Sequence, residues 1–302
     1  MKPIIRLFST VFLFVLALGL ARADDVKLMP FVLASTSNGD MATTVAQVKQ
    51  KLTSNGFEIA GTYSPYPTAT VIVVTNDTLK QAAAKTDFGA FGAAERVTVT
   101  KGDNGLQVAY TNPVYMAAAY QMKADLSPVA ASLRAALGYQ NAYGPKEGLT
   151  ADDLEDYHYK WLMPYFTDRL KLASYGNYQD AVQHVEKALA KKEGGVSKVY
   201  RIDIPGKMST VFGVHMTEAC SGDKYIMSRI DFKPVKSTGH LPYEMVVKGS
   251  AVYALPAEFR IAINFPDLSM MGSNSFASIM CAPNAIQKAL TEAAGGSPSN
   301  NF

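Results

Sequence analysis

Apolar residues recur in two rhythms along the chain, every third or fourth position in some stretches and every second in others, which predicts an α+β protein. In the first half a strand is expected over Val26–Ala34. A helix follows, with Thr44 as its N-cap, Val45, Val48 and Leu52 on one face and Gly56 as its stop. Phe57–Tyr63 alternates and ends at Ser64-Pro65-Tyr66-Pro67. Ala69–Thr75 is apolar on both faces and reads as a central strand. Asn76 caps a short helix carrying Leu79, Ala82 and Ala83, and Arg96–Lys101 and Leu106–Tyr110 form a hairpin. Asn112-Pro113 then opens a helix through Met122, because proline's missing N–H is harmless at the first helical position.

The middle is expected to be helical. Ser127-Pro128 starts a helix with Val129, Leu133 and Leu137 in line, and Gln140–Gly148 reads as a polar loop. Thr150 and Asp153 cap a helix whose apolar side bears Leu154, Tyr157, the single Trp161 and Leu162. In the second half Asn177 starts a helix with Val182, Val185 and Leu189. Strands are expected over Val196–Ile204, Thr210–Thr217, Tyr225–Phe232, Glu244–Val247, Ala251–Leu255 and Phe259–Asn264. Pro266 opens a closing helical segment through Phe276, Ile279 and Met280, with Ile286 and Leu290 beyond Pro283. The expected organisation is therefore two similar sheet-plus-helix domains, 24–122 and 176–294, joined by a helical connector, 123–175, with a frayed tail over 295–302.

Composition changes this picture in two ways. Residues 1–23 carry Lys2 and Arg6, an apolar run from Leu7 to Leu20, and Ala21-Arg22-Ala23, the pattern of a cleaved secretory signal. The run falls short of a spanning helix, and no cysteine follows it, so the mature protein is expected to be exported to the periplasm without a stable membrane anchor. Secondly, the net charge of +3 belongs to that leader, which holds three basic residues and no acid. The remainder balances at 26 basic and 26 acidic residues. No basic surface is available for a phosphate backbone, which excludes nucleic acid as an expected partner. Two cysteines remain, Cys220 and Cys281. In an oxidising compartment they are either a disulfide closing a loop of about 61 residues, worth about 4 kcal/mol, or two separate buried thiols.

Several motifs of the first half resemble the bacterial family catalogued as domain of unknown function 302. They are the helix Thr44-Val45-Ala46-Gln47-Val48-Lys49-Gln50-Lys51-Leu52 with the Gly56-Phe57 that ends it, Val71-Ile72-Val73-Val74, Arg96-Val97-Thr98-Val99, and Gly105-Leu106-Gln107-Val108-Ala109-Tyr110-Thr111-Asn112-Pro113. The resemblance covers residues 43–121. It implies a mostly antiparallel sheet with helices on one face, in units that pair into dimers, so that a diverged second copy would reproduce the pairing inside one chain. A monomer with an internal pseudo-dimer, or a homodimer, is expected. The family brings no established chemistry and hence no catalytic residue.

Candidate chemistry is sparse. His158 shares a face with Leu154 and Trp161, His184 faces away from the apolar side of its helix, and His240 lies in a loop. His215-Met216 ends an apolar strand, and a His/Met pair suits copper or haem iron. Adjacent strand residues point to opposite faces, however, so both can reach one ion only at a bulge. No cofactor is otherwise expected. Ser221-Gly222-Asp223-Lys224 has the Ser-x2-Lys spacing without the partner motif at the distance such enzymes need. Tyr110, Asn112, Tyr115 and Met116 find an echo in Asn264, Phe265 and Met270, each set an asparagine near a proline with methionine following. If the halves are equivalent, these residues would form a pocket at helix N-termini for a small molecule with a polar or anionic end. Ordinary turn chemistry and packing explain the same residue types. The expected role is a non-catalytic binding or accessory protein for a small molecule or a periplasmic protein partner, with copper or haem handling and an unmarked enzyme as alternatives.

Overall fold

The computed structural model describes residues 26–297, so the expected leader and the end of the expected tail lie outside the described residues. The first half runs β1 (Phe31–Ser37), α1 (Met41–Ser54), β2 (Glu58–Tyr66), β3 (Ala69–Thr75), α2 (Asp77–Lys85), β4 (Glu95–Gly102), β5 (Gly105–Thr111) and α3 (Pro113–Ala119). The next segment adds α4 (Ser127–Leu137), β6 (Asn141–Tyr143) and α5 (Ala151–Glu155). The sheet order is β2-β3-β4-β5-β1-β6, antiparallel throughout. The caps follow from side-chain oxygens beside the first free N–H groups. Asp40, not Thr44, caps α1 by accepting from Thr43 N–H at 2.9 Å, while Asn76 and Asn112 cap α2 and α3 as expected. All seven positions of β3 are buried. Ile72 and Val74 pack under Val48, Leu52 and Leu79 of the outer helices, while Val71 and Val73 join a core shared with the second half.

That second half comprises β7 (Leu170–Ser174), α6 (Tyr178–Ala190), β8 (Val196–Asp203), β9 (Ser209–Met216), α7 (Asp223–Ile230), β10 (Tyr243–Lys248), β11 (Ala251–Ala254) and α8 (Ala257–Asn264), followed by α9 (Ala282–Ala293). Its sheet order, β8-β9-β10-β11-β7, is the first order without β6, each of the other five strands being replaced by its counterpart. The register agrees to the residue. Val73 pairs with Arg96 as Gly213 pairs with Glu244, and Val97 with Tyr110 as Met245 with Ala254. Two bulges recur at the same places, after Ile59 and Lys198 in the outer hairpins and after Leu33 and Lys171 beside β5 and β11, while β2–β3 alone has a further irregularity between Tyr63 and Tyr66. The halves are thus two copies of one topology.

This register corrects the expected echo. Asn112 corresponds to Pro256, the N-cap of α8, and not to Asn264, which ends that helix. Two expected strands are also helical: α7 takes Tyr225–Ile230 of the strand expected over Tyr225–Phe232, and α8 takes all of Phe259–Asn264. Every residue of α8 except Glu258 is buried, so no polar face marked its helical period, and Phe-Arg-Ile-Ala-Ile-Asn imitates a strand alternation. The connector is not a separate helical layer. α4 covers the outer face of the first sheet, and Gln140–Gly148, expected as a loop, supplies β6 along β1. α5 ends at Glu155, leaving Trp161 84% exposed instead of packed.

The two sheets meet through contacts between equivalent elements, which is the mark of a two-fold arrangement. β2 meets β8, Arg96 of β4 meets Glu244 of β10, and two linkers cross over reciprocally. The 3-10 turn Gly89–Gly92 after α2 lies on β9 and β10, and the turn Thr238–His240 after α7 lies on β3, β4 and β5. Close approach requires glycine both within the second sheet and across the seam. A Cβ on Gly213 would stand 1.8 Å from the Tyr200 ring, and one on Gly61 would stand 2.4 Å from the Val199 carbonyl.

Cys220 and Cys281 are bonded, tying the segment before α7 to the start of α9. Thr217–Gly222 carries this bond, where a single residue links β3 to α2 in the first half. Gly213→Ala is expected to lower unfolding free energy by about 1–3 kcal/mol through overpacking, read from urea denaturation. Replacing both cysteines with serine should cost about 4 kcal/mol by the loop-entropy argument, seen as an earlier urea midpoint that reductant no longer changes.

Candidate functional site

The centre of the seam is charged and dry. Arg96 and Glu244 form a fully buried ion pair, and Arg260 Nε donates to the same carboxylate at 3.2 Å. Arg260 is held further by Asn264 Oδ1 at 3.0 Å and the carbonyls of His240 and Pro242 at 2.8 and 3.1 Å. Because Asn264 Oδ1 is an acceptor, His240 Nδ1–H donates to it at 2.9 Å, and Nε2 accepts from the Tyr243 hydroxyl at 2.9 Å. Burial and Arg260 together hold this imidazole neutral, well below its usual range. Glu95, beside Arg96 and bonded by Thr111, is pushed up to about 7 by burial.

The crossing linker of the second half forms a cleft with the first. Gln107 Nε2 donates to Pro234 O at 2.8 Å and its Oε1 accepts from Lys236 N–H at 2.9 Å. Tyr143 donates to Lys236 O at 2.7 Å, and Thr238 Oγ1 is bonded to Thr100 at 2.9 Å and Tyr66 at 3.1 Å. Between this anchored linker, α7 and the β2–β3 turn lies a cleft of about 400 Å³. Its walls are Tyr66, Pro67, Thr68, Thr100, Met227 and Ser228, its cations are Lys101, Lys224 and Lys236, and its acid is Asp231. Asp231 accepts from Ser237 N–H at 2.9 Å, and burial pushes its carboxyl up to about 7 against the pull of that bond and Lys236.

A second groove of about 510 Å³ lies across α7, with Lys224 and Ser228 common to both and His215, Tyr225 and Arg229 on its own side. Behind it Asp223 is fully buried. Its Oδ2 accepts from the Tyr63 hydroxyl at 3.1 Å, and His215 Nε2 stands 3.9 Å away. Burial raises Asp223 well above the carboxylate range and lowers His215. Four cations thus flank the two faces of α7, while its acids are biased by burial toward their neutral forms. Such a surface favours anionic groups, and Tyr66, Pro67 and Met227 offer an apolar bed.

The residues expected to form a pocket are placed differently. The Tyr110 hydroxyl donates to Gly138 O at 3.2 Å in the outer core, and the Tyr115 hydroxyl to Ile263 O at 2.7 Å in the shared core, where Met116 is also buried. Asn112 caps α3 and donates to Met29 O at 2.9 Å. Asn264 belongs to the Arg260–His240 network, Phe265 packs on His240, and Met270 is exposed on a loop. They occupy separate environments because the echo that grouped them was out of register. His215 and Met216 follow each other in an unbroken ladder against β8, so they project from opposite faces of β9 and cannot share one ion. Among the described residues no group of three or more His, Cys, Asp or Glu gathers as metal ligands. His184 is exposed as expected, His158 meets the Tyr165 ring at a tilt with centroids 4.5 Å apart, and His240 is fully buried. The cleft residues Lys224, Asp231 and Lys236 were not singled out for binding, since charges in loops and helix ends read as solvated. Charged residues inside expected strands, Arg96 and Glu244, were the available signal for the seam.

No family model, curated protein or solved structure matches the chain.

Glu244→Gln leaves two buried guanidiniums without their counter-ion, and a loss of about 3–5 kcal/mol is expected in urea denaturation. A pH dependence also follows. Asp231 and Glu95 have folded-state values of about 7, above their usual 3.8 and 4.5, so folding is favoured most below those usual values and the benefit is lost as pH rises through 7. Asp231→Asn should flatten the fall in stability between pH 4 and pH 8, measured by urea midpoints across that range.

Proposed function

We propose that this protein is an exported, non-catalytic binding protein whose ligand is a small anionic molecule with an apolar body, seated between the β2–β3 turn and α7. The observation that carries the reading is the pairing of three lysines, Lys101, Lys224 and Lys236, with the apolar surface of Tyr66, Pro67 and Met227 in one cleft of about 400 Å³. An anionic head placed among the lysines keeps its charge compensated, while the body leaves water against the aromatic and thioether walls. The linker holding Lys236 is fixed by hydrogen bonds to the first half, so the cleft is formed before a ligand arrives and its ordering cost is small. The Cys220–Cys281 bond supports an oxidising compartment, and the leader pattern supports the periplasm. Among the described residues no helix is long and apolar enough to cross a membrane. The repeated topology supports extending the family resemblance of residues 43–121 to the second half.

Titration with 8-anilinonaphthalene-1-sulfonate, an aromatic sulfonate of this description, should give saturable fluorescence. Lys224→Glu combined with Lys236→Glu should weaken binding by about tenfold or more, each factor of ten being about 1.4 kcal/mol. Lys51→Glu, on the far side of the first sheet, should leave it unchanged. Equal affinities in all three proteins would reject the proposal.

A further inference from the structure

The repeated topology builds a second cleft at the equivalent place. It lies between α2 with its crossing linker, from the first half, and the β8–β9 and β10–β11 turns of the second, with a volume of about 560 Å³. Lys248 and Gly249 stand in its wall where Thr100 and Lys101 stand in the first cleft, as the shared register dictates. The parallel extends to chemistry. Three lysines, Lys85, Lys207 and Lys248, surround apolar surface from Phe88, Met208 and Tyr253. Tyr253 meets the Phe88 ring edge-on with centroids 4.9 Å apart, and Lys248 Nζ lies 4.2 Å from the centre of that ring.

We infer that this second cleft is another binding site for the same chemical class, a small anion with an apolar body, so that one chain takes two ligands. The inference rests on the function proposed for the first cleft. The two sites differ in how their lysines are partnered. Lys248 already carries a carboxylate, that of the exposed Asp87. A ligand's anionic group replaces Asp87 on Lys248 while its body packs on Phe88 and Met208. Exchanging one carboxylate partner for another anion gains less than meeting a free lysine, so the second cleft is the weaker site, and Asp87→Asn strengthens it.

The test counts 8-anilinonaphthalene-1-sulfonate bound per chain by isothermal titration calorimetry, in the full protein and in two charge-reversed forms with native circular dichroism. Two equivalents are expected in the unaltered protein, with one left after Lys85→Glu and Lys207→Glu and one after Lys224→Glu and Lys236→Glu. Asp87→Asn should tighten the weaker equivalent several-fold. One equivalent that survives the Lys85/Lys207 change and vanishes with the Lys224/Lys236 change overturns the second cleft and leaves the first standing. One equivalent with the opposite dependence overturns the first and leaves the second. No binding, or binding indifferent to both pairs, overturns both.

Discussion

Two guanidinium groups and one carboxylate share the dry centre of this molecule, and the rest of the architecture is arranged so that they can. Removing an ionised side chain from water costs several kcal/mol unless partners replace the lost hydration. Glu244 answers Arg96 and Arg260, and Arg260 gives three further hydrogens to Asn264 and to the carbonyls of His240 and Pro242. Those carbonyls belong to the linker after α7. The charged centre therefore fixes the linker's path, and the linker in turn places Thr238 against Thr100 and Tyr66 and Lys236 beside the first cleft. Packing alone tolerates sliding between sheets of similar apolar surface; a network whose donors and acceptors must coincide does not.

The same linkers explain why the clefts lie where they do. A strand turn from one half and a helix end from the other cannot close against each other smoothly, since one is narrow and the other round. The space left over is bounded by α7 on one side and by α2 on the other. Lysines gather there because both the turns and the helix ends are exposed, where a charged tip can stay wet while its stem lies along the wall. The walls are nevertheless firm, because each helix is followed by a turn buried on the opposite sheet.

Much of the fold was legible in the sequence, and the limits of legibility have physical causes. β3, with seven apolar-compatible positions, and α1, α2 and α6, with one wet and one dry face, announced themselves through period, and α2 and α6 through their caps as well. α8 did not, because a helix buried on all sides has no contrast to display. Register was likewise invisible. The likeness between Asn112-Pro113 and Asn264-Phe265-Pro266 is local, whereas the true equivalence of Asn112 with Pro256 depends on strand pairing across distant segments. The candidate site suffered for the same reason. Its lysines and Asp231 come from three separate stretches, each unremarkable alone, and only the crossing linker brings them together.

The pairing of Arg96 with Glu244 carries one more implication. These are corresponding positions in the two copies, facing one another across the junction. Two identical polypeptides assembled about a symmetry axis would set each such position against itself, arginine against arginine or glutamate against glutamate, and the buried like charges would drive them apart. Covalent fusion removes that restriction. Once the copies share a chain, one side is free to become basic and the other acidic, and the attraction that results is closed to any self-associating ancestor. The junction is thus a lock that admits unlike halves alone.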